Sequence, residues 1–236
     1  MTTQGSVMRR AIGDPLPRSL VALTFATGLV DAVSFLGLGQ VFVANQTGNV
    51  VFLAFALAGA SGLSASAALV SLLCFAAGSA GGGLLARRHE GHQRRWVTGA
   101  FLGEAALVVA ATVAAIGVGI GEANARRELV IGLLALAMGF RNATVRRLGV
   151  PDMTTTVLTM TLTALTSEPP LGDGRGAAAA RRAVSVGAMF VGAIVGAALV
   201  VNDHLMPAMV LLAAIVLAAA AAYAWHPEPR APQEAI

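Results

Sequence analysis

The stretch VSLLCFAAGSAGG at residues 70–82 is repeated, 114 residues further along the chain, as VSVGAMFVGAIVG at residues 184–196. Both copies begin with Val-Ser and place two glycines four residues apart in an apolar run. Such spacing lets helix backbones approach closely. We therefore predict that Gly78 with Gly82, and Gly192 with Gly196, pack helices within the chain; the alternative is a homodimer formed through either glycine pair.

Polar residues are duplicated with nearly the same offset. The matched positions are Gly28 and Asp31 with Gly139 and Asn142, and residues 47–49 (TGN) with residues 159–161 (TMT). A duplicated polar interruption in an apolar chain is typical of transporters that are built from two repeats.

The composition indicates the class of protein. Of the 236 residues, 56% are hydrophobic and 12% are charged, whereas a soluble domain has about 25% charged residues. We predict an integral membrane protein whose partner is the lipid bilayer. The sixteen basic residues are all arginines in short clusters, which is typical of membrane topology and argues against nucleic-acid binding. With a single cysteine, Cys74, we expect no disulfide, no cysteine metal cluster and no cofactor.

Eight apolar segments can be drawn, at about residues 19–38, 41–60, 65–86, 96–118, 129–148, 153–166, 183–201 and 205–225. The sixth would be about 21 Å long as a helix, and a bilayer core is about 30 Å thick. The second begins with a polar run that is costly in lipid unless protein or water surrounds it. We expect residues 1–18 to be a polar N-terminal segment, 19–225 one membrane domain, and 226–236 a disordered tail.

The arginines distinguish eight crossings from six. If all eight segments cross, nine arginines lie inside and six outside. If the second and sixth segments enter and leave on one side, thirteen lie inside, only Arg126 and Arg127 lie outside, and Arg141 lies within the membrane. Because cytoplasmic loops are enriched in arginine, six crossings are favoured. Both termini are then cytoplasmic, and the membrane is the inner membrane of a bacterium.

Six crossings make the halves of the chain, about residues 19–118 and 129–225, run through the membrane in opposite directions. The predicted fold is an all-α polytopic membrane protein with about six transmembrane helices, two short or re-entrant polar segments and inverted-repeat symmetry. Secondary transporters commonly have this plan.

Three charged residues fall in the interior of predicted helices, away from their last turns. Asp31 lies about 18 Å along the first helix, where a carboxylate usually faces a cavity or a basic partner. Arg141 precedes Asn142, the repeat equivalent of Asp31, so we expect Asp31 and Arg141 to pair, either structurally or in a coupling or substrate site. Glu104 is expected near the inner interface, as part of a helix pair or as a proton carrier.

Uncharged polar groups are concentrated in the two short segments. The first holds Asn45, Gln46, Thr47, Gly48 and Asn49, and the second a stripe of Thr155, Thr159 and Thr163. We expect the first to unwind and the two to line a shared cavity, unless the threonines bond to their own helix carbonyls. Converging helix N-termini and Arg141 favour an anionic or zwitterionic solute.

Enzyme motifs are not apparent in the sequence. The run HEGH at residues 89–92 lacks the spacing that places two imidazoles on one helix face, and GDGRG at 172–176 lacks the Lys and Ser/Thr of a phosphate loop. We expect no enzymatic activity, no catalytic residues and no metal site.

The runs TGLVDAVS at residues 27–34, ANQTGNVV at 44–51 and MGFRNA at 138–143, with the threonine-rich stretch, resemble the YoaK-like family of small bacterial inner-membrane proteins. The resemblance covers about residues 18–225. It implies a polytopic protein of about six crossings and brings no established catalytic residues. Met160 stands where the family usually has a glycine.

These features favour a secondary transporter or facilitator for a small polar or anionic solute. Movement of one repeat against the other would expose the site to each side in turn, with Asp31 as the candidate proton or cation coupler. A channel, or a scaffold or sensor whose repeated motifs only pack helices, is the alternative. A wetted pore would favour the channel, and a dry packed centre the scaffold.

Overall fold

The computed structural model describes residues 15–89, 92–120, 124–148, 161–163, 166 and 175–225. The helices in this part of the chain are α1 (Pro15–Gly37), α2 (Gln46–Leu57), α3 (Ala65–Arg88), α4 (Gln93–Ala114), α5 (Ala125–Leu148), α6 (Arg175–Val201) and α7 (Leu205–Trp225). All except α2 are long and apolar enough to cross a membrane. The prediction of an all-α polytopic protein with six crossings is confirmed.

Contacts between helix termini identify the two ends of the bundle. Arg147 donates a hydrogen bond to the carbonyl of Gly83, so α3 and α5 finish at the same end, which we call the arginine-rich end. Ser66 donates to Glu128, so the same two helices begin together at the opposite end. The six long helices therefore alternate in direction along the chain.

The helix contacts repeat with two-fold pseudosymmetry. Helix α1 packs along α6, and its repeat equivalent α5 packs along α3. In the same way α1 contacts α7 and α5 contacts α4, while α4 and α7 contact each other. Because equivalent helices run in opposite directions, the halves form the predicted inverted repeat.

The repeats are interleaved, and neither forms a compact unit by itself. The contacts define a first helix group of α1, α6 and α7, and a second helix group of α3, α4 and α5. Each group takes helices from both halves of the chain. The expected movement of one repeat against the other is therefore not supported by the packing, because such movement would break the most extensive helix contacts.

Glycine allows the two closest helix crossings. A Cβ atom on Gly192 would lie 2.0 Å from the carbonyl oxygen of Phe25, and one on Gly78 would lie 2.1 Å from that of Leu136. The same steric limit holds at Gly28, Gly82, Gly139 and Gly196, whose neighbouring backbone also belongs to this chain. The glycine faces of α3 and α6 are thus covered by other helices of the same chain. A homodimer stays a prediction, and it would have to form through another surface.

Residues 38–57 form a re-entrant segment at the opposite end of the bundle. The chain turns at Gly39 and Gln40, where φ is +109° and +54°, and runs without helix through residues 41–45. Helix α2 then returns to the same end. Its 12 residues rise about 18 Å, less than the roughly 30 Å of a bilayer core. The expectation that residues 45–49 unwind is wrong for residues 46–49, because Gln46 begins α2; only Asn45 belongs to the unwound stretch, which precedes the helix.

Replacing Gly192 with alanine tests this packing. We expect Gly192→Ala to destabilise the protein by about 1–3 kcal/mol, because the α1 and α6 backbones must separate. The matched control is Gly187→Ala in the same helix, where a Cβ would have nothing within 4 Å; it should be neutral or stabilising. Thermal unfolding in detergent, followed by size-exclusion chromatography, measures both. Equal stability of the two variants would refute the crossing.

Candidate functional site

Asp31 supports the unwound backbone from α1. Its Oδ1 atom accepts hydrogen bonds from the backbone N–H groups of Val43, at 3.1 Å, and Ala44, at 2.9 Å. The side chain is buried, with 5% of its surface exposed. Because these N–H groups have no helical partner and unsatisfied backbone is costly in a membrane, the carboxylate stabilises the re-entrant turn.

Asn49 and Ser71 support the same stretch from α2 and α3. The Asn49 amide accepts from the Phe42 N–H at 2.9 Å and donates to the Phe42 carbonyl at 2.5 Å. The Ser71 hydroxyl donates to that carbonyl at 2.7 Å. Gln46 donates to the Val43 carbonyl. Asn49 therefore satisfies both polar groups of Phe42, as a paired strand would. Of the amides that we expected to face a solute, those of Gln46 and Asn49 are bonded to backbone.

The remaining residues of the polar run have separate positions. A Cβ atom on Gly48 would lie 2.9 Å from the Phe42 ring, so the glycine makes room for that ring. Phe42 stacks on Phe35 with ring centroids 5.0 Å apart. Asn45 and Thr47 are exposed on the surface of the bundle.

A buried ion pair lies deeper in the bundle. The Arg141 guanidinium donates to Glu104 Oε1 through Nε, at 2.7 Å, and through Nη2. Its Nη1 donates to the Leu23 carbonyl and the Thr27 hydroxyl, each at 2.9 Å. Arg141 and Glu104 are 2% and 1% exposed. Arg141 thus connects α5 and α4 of the second helix group to α1 of the first.

Two expectations about these charges are wrong. Arg141 forms no hydrogen bond to Asp31, because its guanidinium is held by Thr27 and Glu104, and Asp31 lies one turn further along α1, bonded to residues 43–44. Glu104 is not near an interface, since it lies halfway along α4 and is almost completely buried; its expected part in a helix pair is confirmed by the contact with Arg141 of α5.

Several buried oxygen atoms have no hydrogen-bond partner within the described ranges. They are Asp31 Oδ2, Glu104 Oε2, Asn142 Oδ1 and Ser185 Oγ, together with Glu128 Oε2 at the start of α5. Asn142 and Ser185 are the repeat equivalents of Asp31 and Ser71, which hold the unwound backbone in the first half. Buried oxygens in proteins normally have a partner, and the second-half residues that correspond to the unwound stretch lie outside the described ranges.

The second polar segment is described only in part. Thr155 and Thr159 lie outside the described residues, as does most of the expected contact between the two segments. Thr163 is exposed, whereas Thr161 is buried with 6% of its surface exposed.

The position of Asp31 indicates how deep the first segment reaches. Asp31 lies six residues before the end of α1, about 9 Å along the helix axis. The first segment therefore reaches about a third of the way into the membrane, short of its middle.

The buried polar groups around Asp31, Asn49, Glu104 and Arg141 form what we call the polar centre. Sequence reasoning missed Ser71 and Thr27 as members of it. Ser71 had a visible signal, because it recurs as Ser185 in the duplicated stretch. Thr27 lies one turn before Asp31 on the same helix face, so it also could have been included. The pairing of Arg141 with Glu104 had no such signal, since it depends on how α4 and α5 are rotated.

A double-mutant cycle tests the ion pair. We expect Arg141→Met to destabilise the protein by about 3–5 kcal/mol, because the Glu104 carboxylate is left buried without its partner. Glu104→Leu combined with Arg141→Met removes both charges and should recover most of that loss. Unfolding in SDS, followed by circular dichroism, measures the difference. A double variant as unstable as Arg141→Met would contradict the pairing.

Comparisons with known proteins identify the family of this chain. Residues 19–223 match the family described as "Protein of unknown function (DUF1275)". The UPF0700 transmembrane protein YoaK of Bacillus subtilis (strain 168) is 31% identical over 150 residues, which span 62% of this chain and 63% of that relative. No solved structure is significantly similar to the chain. Because the family match covers most of its length, this multi-pass membrane protein belongs to the YoaK-like DUF1275 family.

Proposed function

We propose that the protein is a secondary transporter or facilitator for a small polar, preferably anionic, solute in the bacterial inner membrane, with both termini in the cytoplasm. The observation that carries the proposal is Asp31. One oxygen of this buried carboxylate holds the re-entrant backbone, and the other has no partner in the part of the chain that is described. Buried acids in membrane segments are expensive and commonly belong to ion or proton pathways.

The balance of buried charge supports cation or proton coupling. Asp31 and Glu104 are acidic and Arg141 is basic, so the centre carries one excess negative charge when all three are ionised. The opposite charges of Arg141 and Glu104 neutralise each other in their salt bridge. Asp31 is therefore the group that a proton or a cation neutralises, and an anionic solute would move together with that cation.

The two helix groups are the units that we propose to move. Arg141 of the second group is hydrogen-bonded to α1 of the first group, and the stretch 42–44 is held by Asp31 from α1 and by Ser71 from α3. Neutralising Asp31 weakens its bonds to Val43 and Ala44, because hydrogen bonds to a charged acceptor are roughly twice as strong. The first group can then separate from the re-entrant segment and change access to the site.

Asp31→Asn tests this role with little structural change. The asparagine oxygen can still accept from Val43 and Ala44, whereas the charge and the acceptor at Oδ2 are lost. The control is Asp203→Asn, at an exposed turn with φ of +63°, a conformation that asparagine tolerates.

Each variant is reconstituted in liposomes and recorded on a solid-supported membrane after concentration jumps of sodium propionate, sodium succinate or glycine, with and without a pH gradient. We expect wild type and Asp203→Asn to give transient currents with at least one probe, and Asp31→Asn to lose the coupled current. Full current in Asp31→Asn would remove Asp31 from coupling. Sustained, uncoupled current would favour a channel, and silence of the wild type with every probe would favour a scaffold.

A further inference from the structure

A cavity of about 340 Å³ opens at the opposite end of the bundle, apart from the polar centre around Asp31. It is lined by Phe35, Leu36, Gly39, Gln40, residues 62–64 and Arg127. These residues come from the end of α1, the re-entrant turn, the loop before α3 and the first turn of α5. In the predicted topology this end faces the periplasm.

Arg127 gives this cavity its charge. The side chain is buried, with 6% of its surface exposed, and its Nη2 donates to Glu128 Oε1 at 3.1 Å. Its Nε has no partner within the described residues. Arg127 also lies in the first turn of the 24-residue helix α5, where the helix dipole favours an anion; its own backbone N–H is bonded to Asn124 Oδ1 at 2.8 Å.

The re-entrant turn is shaped around the Arg127 guanidinium. A Cβ atom on Gly39 would lie 2.9 Å from Arg127 Nη1, and φ at Gly39 is +109°. A larger residue would be strained there and would displace the guanidinium. The adjacent Gln40 also has positive φ, and its amide lines the same cavity.

Glu128 satisfies the guanidinium only in part. Its Oε1 also accepts from Ser66 at 3.0 Å, and its Oε2 is buried with no partner in the described ranges. An arginine has five N–H donors, and Arg127 uses one of them on Glu128. The donor at Nε is buried and has no partner in the described residues, and a guanidinium can bind a carboxylate through two of its N–H groups.

We propose that this cavity binds a small monocarboxylate as an entry site for the transported solute. The carboxylate pairs with Arg127, and a short alkyl chain packs on Phe35, Leu36 and Leu63. The role as an entry site rests on the proposed transport function, whereas the binding does not. Glu128 competes with the ligand for Arg127, so it sets the affinity.

Binding is measured on the purified, full-length protein in detergent by saturation-transfer NMR, with sodium formate, sodium butyrate and butyramide as probes. We expect butyrate to bind more tightly than formate, because of its alkyl chain, and butyramide not to bind. Arg127→Gln should weaken butyrate binding about ten-fold or more, as expected when a hydrogen bond to a charged group is lost. Arg126→Gln is the matched control, since Arg126 bonds to the Ile116 carbonyl and does not line the cavity; it should bind as wild type does.

Glu128→Gln should change the affinity for butyrate in the opposite direction. It removes the competing charge and keeps an oxygen for Ser66, so butyrate should bind several-fold more tightly. Equal binding of butyrate to wild type and Arg127→Gln, or of butyrate and butyramide to wild type, would overturn the proposal, as would unchanged or weaker binding to Glu128→Gln. If Arg127→Gln does not fold, Glu128→Gln alone decides. Because no flux is measured, a failure of transport would leave this result intact.

Discussion

The backbone of residues 41–45 lies without helix between membrane-spanning helices, and the rest of the structure depends on satisfying its polar groups. Asp31 binds two of its N–H groups, and Asn49 binds both polar groups of Phe42. Ser71 adds a bond from α3. In lipid each unsatisfied group would cost several kcal/mol, so these side chains determine where the re-entrant segment can lie. The buried polar side chains around it, Asp31, Asn49 and Ser71, are therefore bonded to the backbone, and Asp31 Oδ2 has no partner in the described part of the chain.

The two halves share their packing but differ in their charges. Equivalent glycines make equivalent crossings in α3 and α6, whereas Asp31 corresponds to Asn142, and Arg141 corresponds to the buried Val30. Both helix groups are built in the same way, so the close packing follows the two-fold pseudosymmetry of the helices. In the coupled process that we propose, the ionisable groups would supply the difference between the two halves.

The sequence predicted the architecture well, for physical reasons. Arginine placement and segment length determine how many helices cross, and both are local properties of the chain. The glycines of the duplicated stretch likewise predicted the close crossings. The polar centre was harder: the partner of Arg141 depends on the rotation of α4 about its axis, and the apolar, alanine-rich surface of α4 leaves that rotation undetermined in sequence. The role of Asn49 depends on Phe42, seven residues earlier, whose unwound backbone no local pattern indicates. Arg127 could have been singled out, because the arginine count left it, with Arg126, on the opposite side.

The most direct test of the account is the sidedness of the re-entrant segment. Single cysteines replace Gln40, Ala60 or His92 in a Cys74→Ala background, and a membrane-impermeant maleimide is applied to right-side-out and to inverted vesicles. Gln40 and Ala60 flank α2 and are exposed, as is His92 at the arginine-rich end. We predict that positions 40 and 60 both react from the periplasmic side, and that position 92 reacts from the cytoplasmic side. Reaction of positions 40 and 60 from opposite sides would show that α2 crosses the membrane, and would contradict the re-entrant turn that Asp31 supports.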